Sequence, residues 1–193
     1  MMRIKTVKKT VAAIIVIVLL VGASVPALDH KSKTNNGVIS TSNNKSRTSY
    51  AAVEACSIFT SSAASQILGS SAVKENSPAD TESTSDITFS NCIYSTGPNV
   101  DPPHMASVAV RSAKDSTGAA SNKAVFTATG MPSGAQSVPS YGDKAYWDPS
   151  MGQLDILKGN NWYIFTNYTG TSPTNGSATI AQAEQLAQAL KLQ

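Results

Sequence analysis

The sequence predicts an α+β fold: a mainly antiparallel sheet with helices packed on it, in the order α-β-β-α-β-β-β-α, held by one disulfide. Three observations carry that prediction. Apolar residues alternate with a period of two in several short runs, which marks strands. Gly, Pro and Asn punctuate those runs as hairpins, and no β-α-β repeat carries a phosphate-binding loop. The chain has two cysteines, Cys56 and Cys92, behind an export-type N-terminus, where an oxidising compartment makes a disulfide the default.

The elements follow in order. Cys56-Ser-Ile-Phe-Thr60 leads into a short helix. Thr60 or Ser61 caps it, Ala63, Ala64, Ile67 and Leu68 form its apolar face, and Gly69 ends it. Residues 70–85 read as a polar loop. A strand is predicted over residues 87–95, with Ile87, Phe89 and Ile93 on one face and Cys92 and Tyr94 on the other. Gly97-Pro98-Asn99 and Asp101-Pro102-Pro103 make a rigid loop before a second strand, 106–112, with Val108 and Val110 inward. Residues 115–129 form an Ala-rich helix ending at Gly130, and Pro132 and Gly134 mark the loop after it. Residues 143–148 make a short strand with Ala145 and Trp147 on one face. Strands 154–158 and 162–168 are joined by Gly159-Asn160-Asn161, a hairpin signal. Trp162, Ile164 and Tyr168 share one face of the last strand, and Tyr163 and Phe165 the other. A final helix starts at Thr179, with Gln182 completing a capping box and Ile180, Ala183, Ala187 and Leu190 facing the sheet.

Three segments divide the chain: 1–27, a signal peptide or N-terminal membrane anchor; 28–51, a disordered polar spacer; and 52–193, a single α+β domain. Arg3, Lys5, Lys8 and Lys9 precede an almost wholly apolar run over residues 11–25, and Val25-Pro26-Ala27 places small residues for cleavage after Ala27. The run is long for a signal core and short for a full span of about 20 residues. Cleavage and retention as an anchor by residues 11–25 both remain open, and either puts the C-terminal bulk outside the cytoplasm. The spacer is rich in Asn, Ser, Thr and Lys, and cannot bury enough surface to offset its ordering entropy.

The charge of the whole chain, +3, is set by its N-terminal part: from Glu54 on there are seven basic residues against eleven acids, a net charge of −4. A domain of that sign is not expected to bind nucleic acid, whose affinity rests on neutralised phosphates. Contact with a membrane is expected only through the N-terminal segment, if uncleaved.

Cys56-Ser-Ile-Phe-Thr60, the Leu68-Gly69 helix end, Cys92-Ile-Tyr94, Tyr141-Gly-Asp-Lys-Ala-Tyr-Trp147 and Leu154-Asp-Ile-Leu-Lys-Gly159 together resemble a family of small secreted actinobacterial lipoproteins of unknown function. The resemblance runs over roughly residues 52–192. It implies a compact α+β fold similar to PsbP-like domains and a cell-envelope location. It transfers no catalytic residue, and the chain lacks the cysteine that a lipoprotein carries after its apolar run.

No catalytic constellation stands out. His104, in a Pro-rich loop, is the one histidine of the folded region, and neither a zinc site nor a nucleophile–base pair follows from it. No metal or cofactor is expected. Tyr141, Asp143, Tyr146, Trp147 and Trp162 are the candidate ligand-binding residues, because aromatics line grooves for sugars or peptides as well as filling cores. The expected role is an exported cell-envelope protein that binds a ligand or another envelope protein without catalysis. The alternative is a carbohydrate-active hydrolase pairing Asp143 with Asp148 or Asp155, since a glycosidase needs only two acids at suitable separation.

Overall fold

The computed structural model describes residues 48–69, 72–75, 83–97, 99–128, 133–169 and 179–192, all within the unit Arg47–Gln193. The signal or anchor segment and the spacer up to residue 47 lie outside the described residues, as do most of the 70–85 loop, Pro98, the end of the Ala-rich helix at 129–130 and Pro132. No helix among the described residues is long and apolar enough to cross a membrane.

The elements are α1 (Ala55–Ile58), α2 (Ser61–Leu68), β1 (Val73–Lys74), β2 (Ile87–Ser95), β3 (His104–Ala113), α3 (Ser116–Ala128), β4 (Gln136–Ser137), β5 (Lys144–Asp148), β6 (Gln153–Lys158), β7 (Asn161–Thr169) and α4 (Ile180–Ala189). The strands form one antiparallel sheet in the order β1-β2-β3-β7-β6-β5-β4. The α+β class and the order of its main elements are therefore as the sequence predicts. Helices α1, α2 and α4 cover one face and α3 the other.

Local signals explain the boundaries. The Thr60 side chain accepts the Ala63 N–H at the start of α2, and Gly69, with φ 69°, ends it in the left-handed conformation. Asp115 starts α3: its Oδ1 accepts the N–H groups of Thr117 and Gly118 at 2.8 and 3.0 Å. The capping box at α4 forms in full, with Thr179 Oγ1 accepting the Gln182 N–H and Gln182 Oε1 accepting the Thr179 N–H. The β6–β7 connection is tighter than the sequence suggests. Asn161 pairs with Lys158, leaving Gly159-Asn160 as a two-residue turn, and Gly159 at φ 60° takes the position where a type II′ turn needs glycine.

Two details depart from the sequence reading. Cys56 does not simply precede a helix; it lies inside α1, a four-residue helix of its own. The predicted loop at 70–85 and the connection marked by Pro132 and Gly134 each contain a two-residue strand, β1 and β4, and these are the edges of the sheet. A pairing of two residues leaves too little apolar periodicity to read. Short edge strands limit unwanted pairing with other chains.

The register makes two cores. Across the first face runs the row Cys92, Val108, Phe165, Leu154 and Trp147, each opposite its neighbour. Phe59, Leu68, Ala183 and Leu186 cap it. Phe59 meets Tyr94 edge to face at 5.1 Å. The next residue along each strand enters the opposite row, Asn91, Ala109, Ile164, Asp155 and Tyr146. Phe126 of α3 packs there against Tyr146 and Trp162, at ring separations of 5.0 and 5.6 Å. The Cys56–Cys92 disulfide joins α1 to the middle of β2, with Cα atoms 5.0 Å apart. The backbone is engaged from Tyr50 onward, whose N–H donates to the Lys114 carbonyl at 2.9 Å.

Candidate functional site

An open cleft of about 480 Å³ lies at the β4–β5 end of the sheet. Phe126 and Thr127 of α3 form one wall, and the continuous segment Ser137–Tyr146 forms the rest. Its floor is apolar and buried, from Val138, Tyr141, Ala145, Tyr146 and Phe126, whereas Thr127, Ser137, Ser140, Asp143 and Lys144 are exposed around the mouth. An apolar base with a few polar groups at the rim is the usual make-up of a small-molecule site.

The segment is held from several sides. The Val138 N–H donates to the Ala145 carbonyl at 3.1 Å, the Asp143 N–H to Leu157 O at 2.7 Å, and the Gly142 N–H to Leu192 O at 3.3 Å. Gln188 of α4 donates to the Tyr141 hydroxyl at 2.9 Å. Gly142 has φ +53°, and a Cβ there would stand 2.5 Å from Leu157 O, so only glycine fits. Ser140 is left-handed as well, with φ 81°. A non-glycine residue pays for that conformation with about 1–2 kcal/mol, partly offset because glycine loses more chain entropy on folding. Ser140→Gly is therefore expected to raise stability by about 0.5–1 kcal/mol in urea unfolding. Strain kept at a cleft wall is a feature of functional loops.

The structure divides the five candidate ligand-binding residues. Tyr141, Asp143 and Tyr146 line the cleft; Trp147 and Trp162 do not. Tyr141 and Trp147 belong to the α4-side core, and Tyr146 and Trp162 to the α3-side core, all at most 6% exposed. The four rings thus do not share one open groove. Asp143 is exposed, and its Oδ2 accepts the Gly159 N–H at 2.9 Å. His104 starts β3, half-buried, rather than standing in a loop.

Of the three acids of the hydrolase reading, Asp148 and Asp155 share one face of the sheet, and Asp143 lies in the turn before β5. Asp143 sits just before β5, and Asp148 ends it. Asp148 Oδ1 accepts from Ser150 N, Ser150 Oγ and Met151 N at 2.8, 2.6 and 3.2 Å, which closes the β5–β6 turn. Asp155 shares a face with Asp148 but is fully buried. Its Oδ1 accepts the Trp162 indole N–H at 2.7 Å and its Oδ2 a Gln153 Nε2–H at 3.0 Å. Burial pushes the Asp155 carboxyl up from 3.8 to about 7; the Trp162 and Gln153 bonds lower it, and Asp148 adds to the rise.

Sequence reasoning singled out three cleft residues but not Phe126, Thr127 or Ser140. The helix wall is brought in by tertiary packing alone, and a left-handed serine has no sequence signature. Asp155 had one: an acid between Leu154 and Ile156 in a hairpin strand faces a sheet surface that helices cover. The chain matches no family model, no curated protein and no solved structure.

Proposed function

We propose that this is an exported cell-envelope protein that acts as a non-enzymatic binding module, seating a small ligand or a segment of another envelope protein in the cleft between α3 and Ser137–Tyr146. The observation that carries this reading is the cleft itself, with its buried apolar floor, polar mouth and strained Ser140. The charged, apolar and small-residue pattern of residues 1–27 supports export. The Cys56–Cys92 disulfide fits a non-cytoplasmic environment. The resemblance to small secreted actinobacterial lipoproteins agrees with an envelope location. The net charge of −4 from Glu54 on opposes nucleic acid as the partner.

Nuclear magnetic resonance titration with cell-wall oligosaccharides and with short peptides tests the reading. Binding should move amide signals of Phe126, Thr127 and the non-proline residues of 137–146 and leave β2 and α2 in place. Thr127 is exposed on α3, so Thr127→Trp fills the mouth without entering a core. That variant is expected to weaken the bound probe at least about tenfold, or 1.4 kcal/mol. Shifts centred elsewhere, or a Thr127→Trp variant that binds like the native protein, would count against the cleft.

A further inference from the structure

Asp155 is a carboxyl group placed where a charge is hard to keep. It is fully buried in the middle of the sheet, between Tyr146 on β5 and Ile164 on β7, and both its oxygens accept from neutral donors. The charged and titratable groups around it can be named element by element. On β5, Asp148 and Tyr146 share its face, and Lys144 is exposed at the far end of the strand. On β7 the Tyr168 hydroxyl donates to Met105 Sδ, and burial raises its already high pKa further. Lys158 of β6 is three residues along and alternates to the other face. Lys123 on α3 is exposed, and Arg111 on β3 is turned to Asn122 and Ser121. The charge that acts on Asp155 is that of Asp148, another carboxylate.

Gln153 supplies an independent observation. The residue is 8% exposed, and while Nε2 lies against Asp155, the buried Oε1 has no hydrogen-bond partner among the described residues. The oxygen and nitrogen of an amide occupy nearly equivalent places, so heavy-atom positions alone do not fix which of them meets Asp155. With the amide turned over, Oε1 sits against Asp155 Oδ2. Two acceptors at that distance bond only if the acid carries a proton. The same turn gives the oxygen a donor and removes the buried charge, and it hands the unpartnered place to the amide nitrogen.

We propose that Asp155 is a neutral carboxylic acid donating its proton to Gln153 Oε1, and that this pair is a pH-sensitive latch in the sheet beneath the cleft wall. Trp162 still donates to Asp155 Oδ1 in the latched state. Ionisation removes the O–H donor, forces the amide back and leaves two carboxylates side by side. The disturbance reaches the cleft wall through Trp162, Phe126 and Tyr146, which pack on one another.

The direction with pH follows from the native state holding the extra proton. The Asp155 carboxyl is raised from 3.8 to about 7 on folding. Its contribution to stability is full below about pH 4, declines as pH rises and is lost above about pH 7. Within that window the folding constant should fall by up to about tenfold per pH unit from this group.

The test follows the Asp155 ¹³Cγ and Trp162 indole N–H resonances of the native protein from about pH 4 to about pH 9, alongside urea unfolding of native and Asp155→Asn protein over the same range. Asparagine keeps both bonds: its Nδ2 donates to Gln153 Oε1, and its Oδ1 accepts from Trp162. Both resonances should titrate together, far above the ordinary aspartate range. Asp155→Asn should match or exceed the native protein above about pH 7 and lose the decline that the native protein shows. A ¹³Cγ shift that already reports an ionised carboxylate at about pH 5 overturns the proposal. So does an Asp155→Asn variant with the native pH slope. Should the variant fail to fold, the resonance measurement on the native protein decides alone.

Discussion

Replacing Cys56 and Cys92 together by alanine is expected to cost about 4 kcal/mol of folding stability, the chain-entropy value for opening a loop of 36 residues. That is a large part of the 5–15 kcal/mol that holds a typical domain together. The loop enclosed by the bridge contains α2, β1 and half of β2, so its release frees one flank of the sheet at once. The bond also anchors α1, whose four residues make no stable helix alone. Urea unfolding with and without a thiol reductant measures the effect. The reductant should shift the native protein down to the level of the double variant and leave the variant unmoved. A native protein indifferent to reductant would show that the clip does not support the fold. The expected loss ties folding to the redox environment: the chain should be about 4 kcal/mol less stable where thiols stay reduced than where they oxidise.

Gly118→Ala is expected to destabilise the protein by about 3 kcal/mol, against the usual sign for glycine in a helix. At an exposed helical position the same change stabilises by roughly 1 kcal/mol. Here the added Cβ would stand 2.1 Å from the Asp86 carbonyl oxygen, 3.1 Å from its carbon and 3.2 Å from the Ala113 Cα. All three are backbone atoms, and Asp86 O is also the acceptor for the Lys114 N–H at 2.8 Å. The clash is relieved only by lifting the first turn of α3 off the β2–β3 end of the sheet. That movement breaks the Asp115 cap and loosens Phe126 over Trp162. Urea unfolding of the variant, with near-ultraviolet circular dichroism to follow the Trp162 environment, checks both consequences. A variant more stable than the native protein would mean that α3 does not sit this close.

Much of the fold was legible because its signals are local. Thr179 with Gln182, Thr60 with Gly69, and Gly159-Asn160 between two alternating runs each state their element within a few residues. The strand pairing order was not legible. β3 runs next to β7, across more than forty intervening residues, and no local pattern encodes that choice. The disulfide was inferable from compartment and count, but α1 was not, since four residues carry no period. The cleft was half legible. Tyr141, Asp143 and Tyr146 stood out by composition, yet the aromatic signal could not separate rings that line a cleft from Trp147 and Trp162, which fill the two cores. Gly118 and Ser140 stayed hidden because their significance lies in what approaches them from elsewhere in the chain.

The division of successive residues between two cores has an evolutionary consequence. In β5, β6 and β7, deleting or inserting a single residue would exchange the contents of the two layers downstream of it, pressing Asp155 and Thr166 towards α4 and turning Leu154 and Phe165 towards α3. Such a reading-frame slip within a strand cannot be repaired by repacking. Length variation is therefore expected in the connections between strands, where an added residue leaves the alternation of β5, β6 and β7 intact.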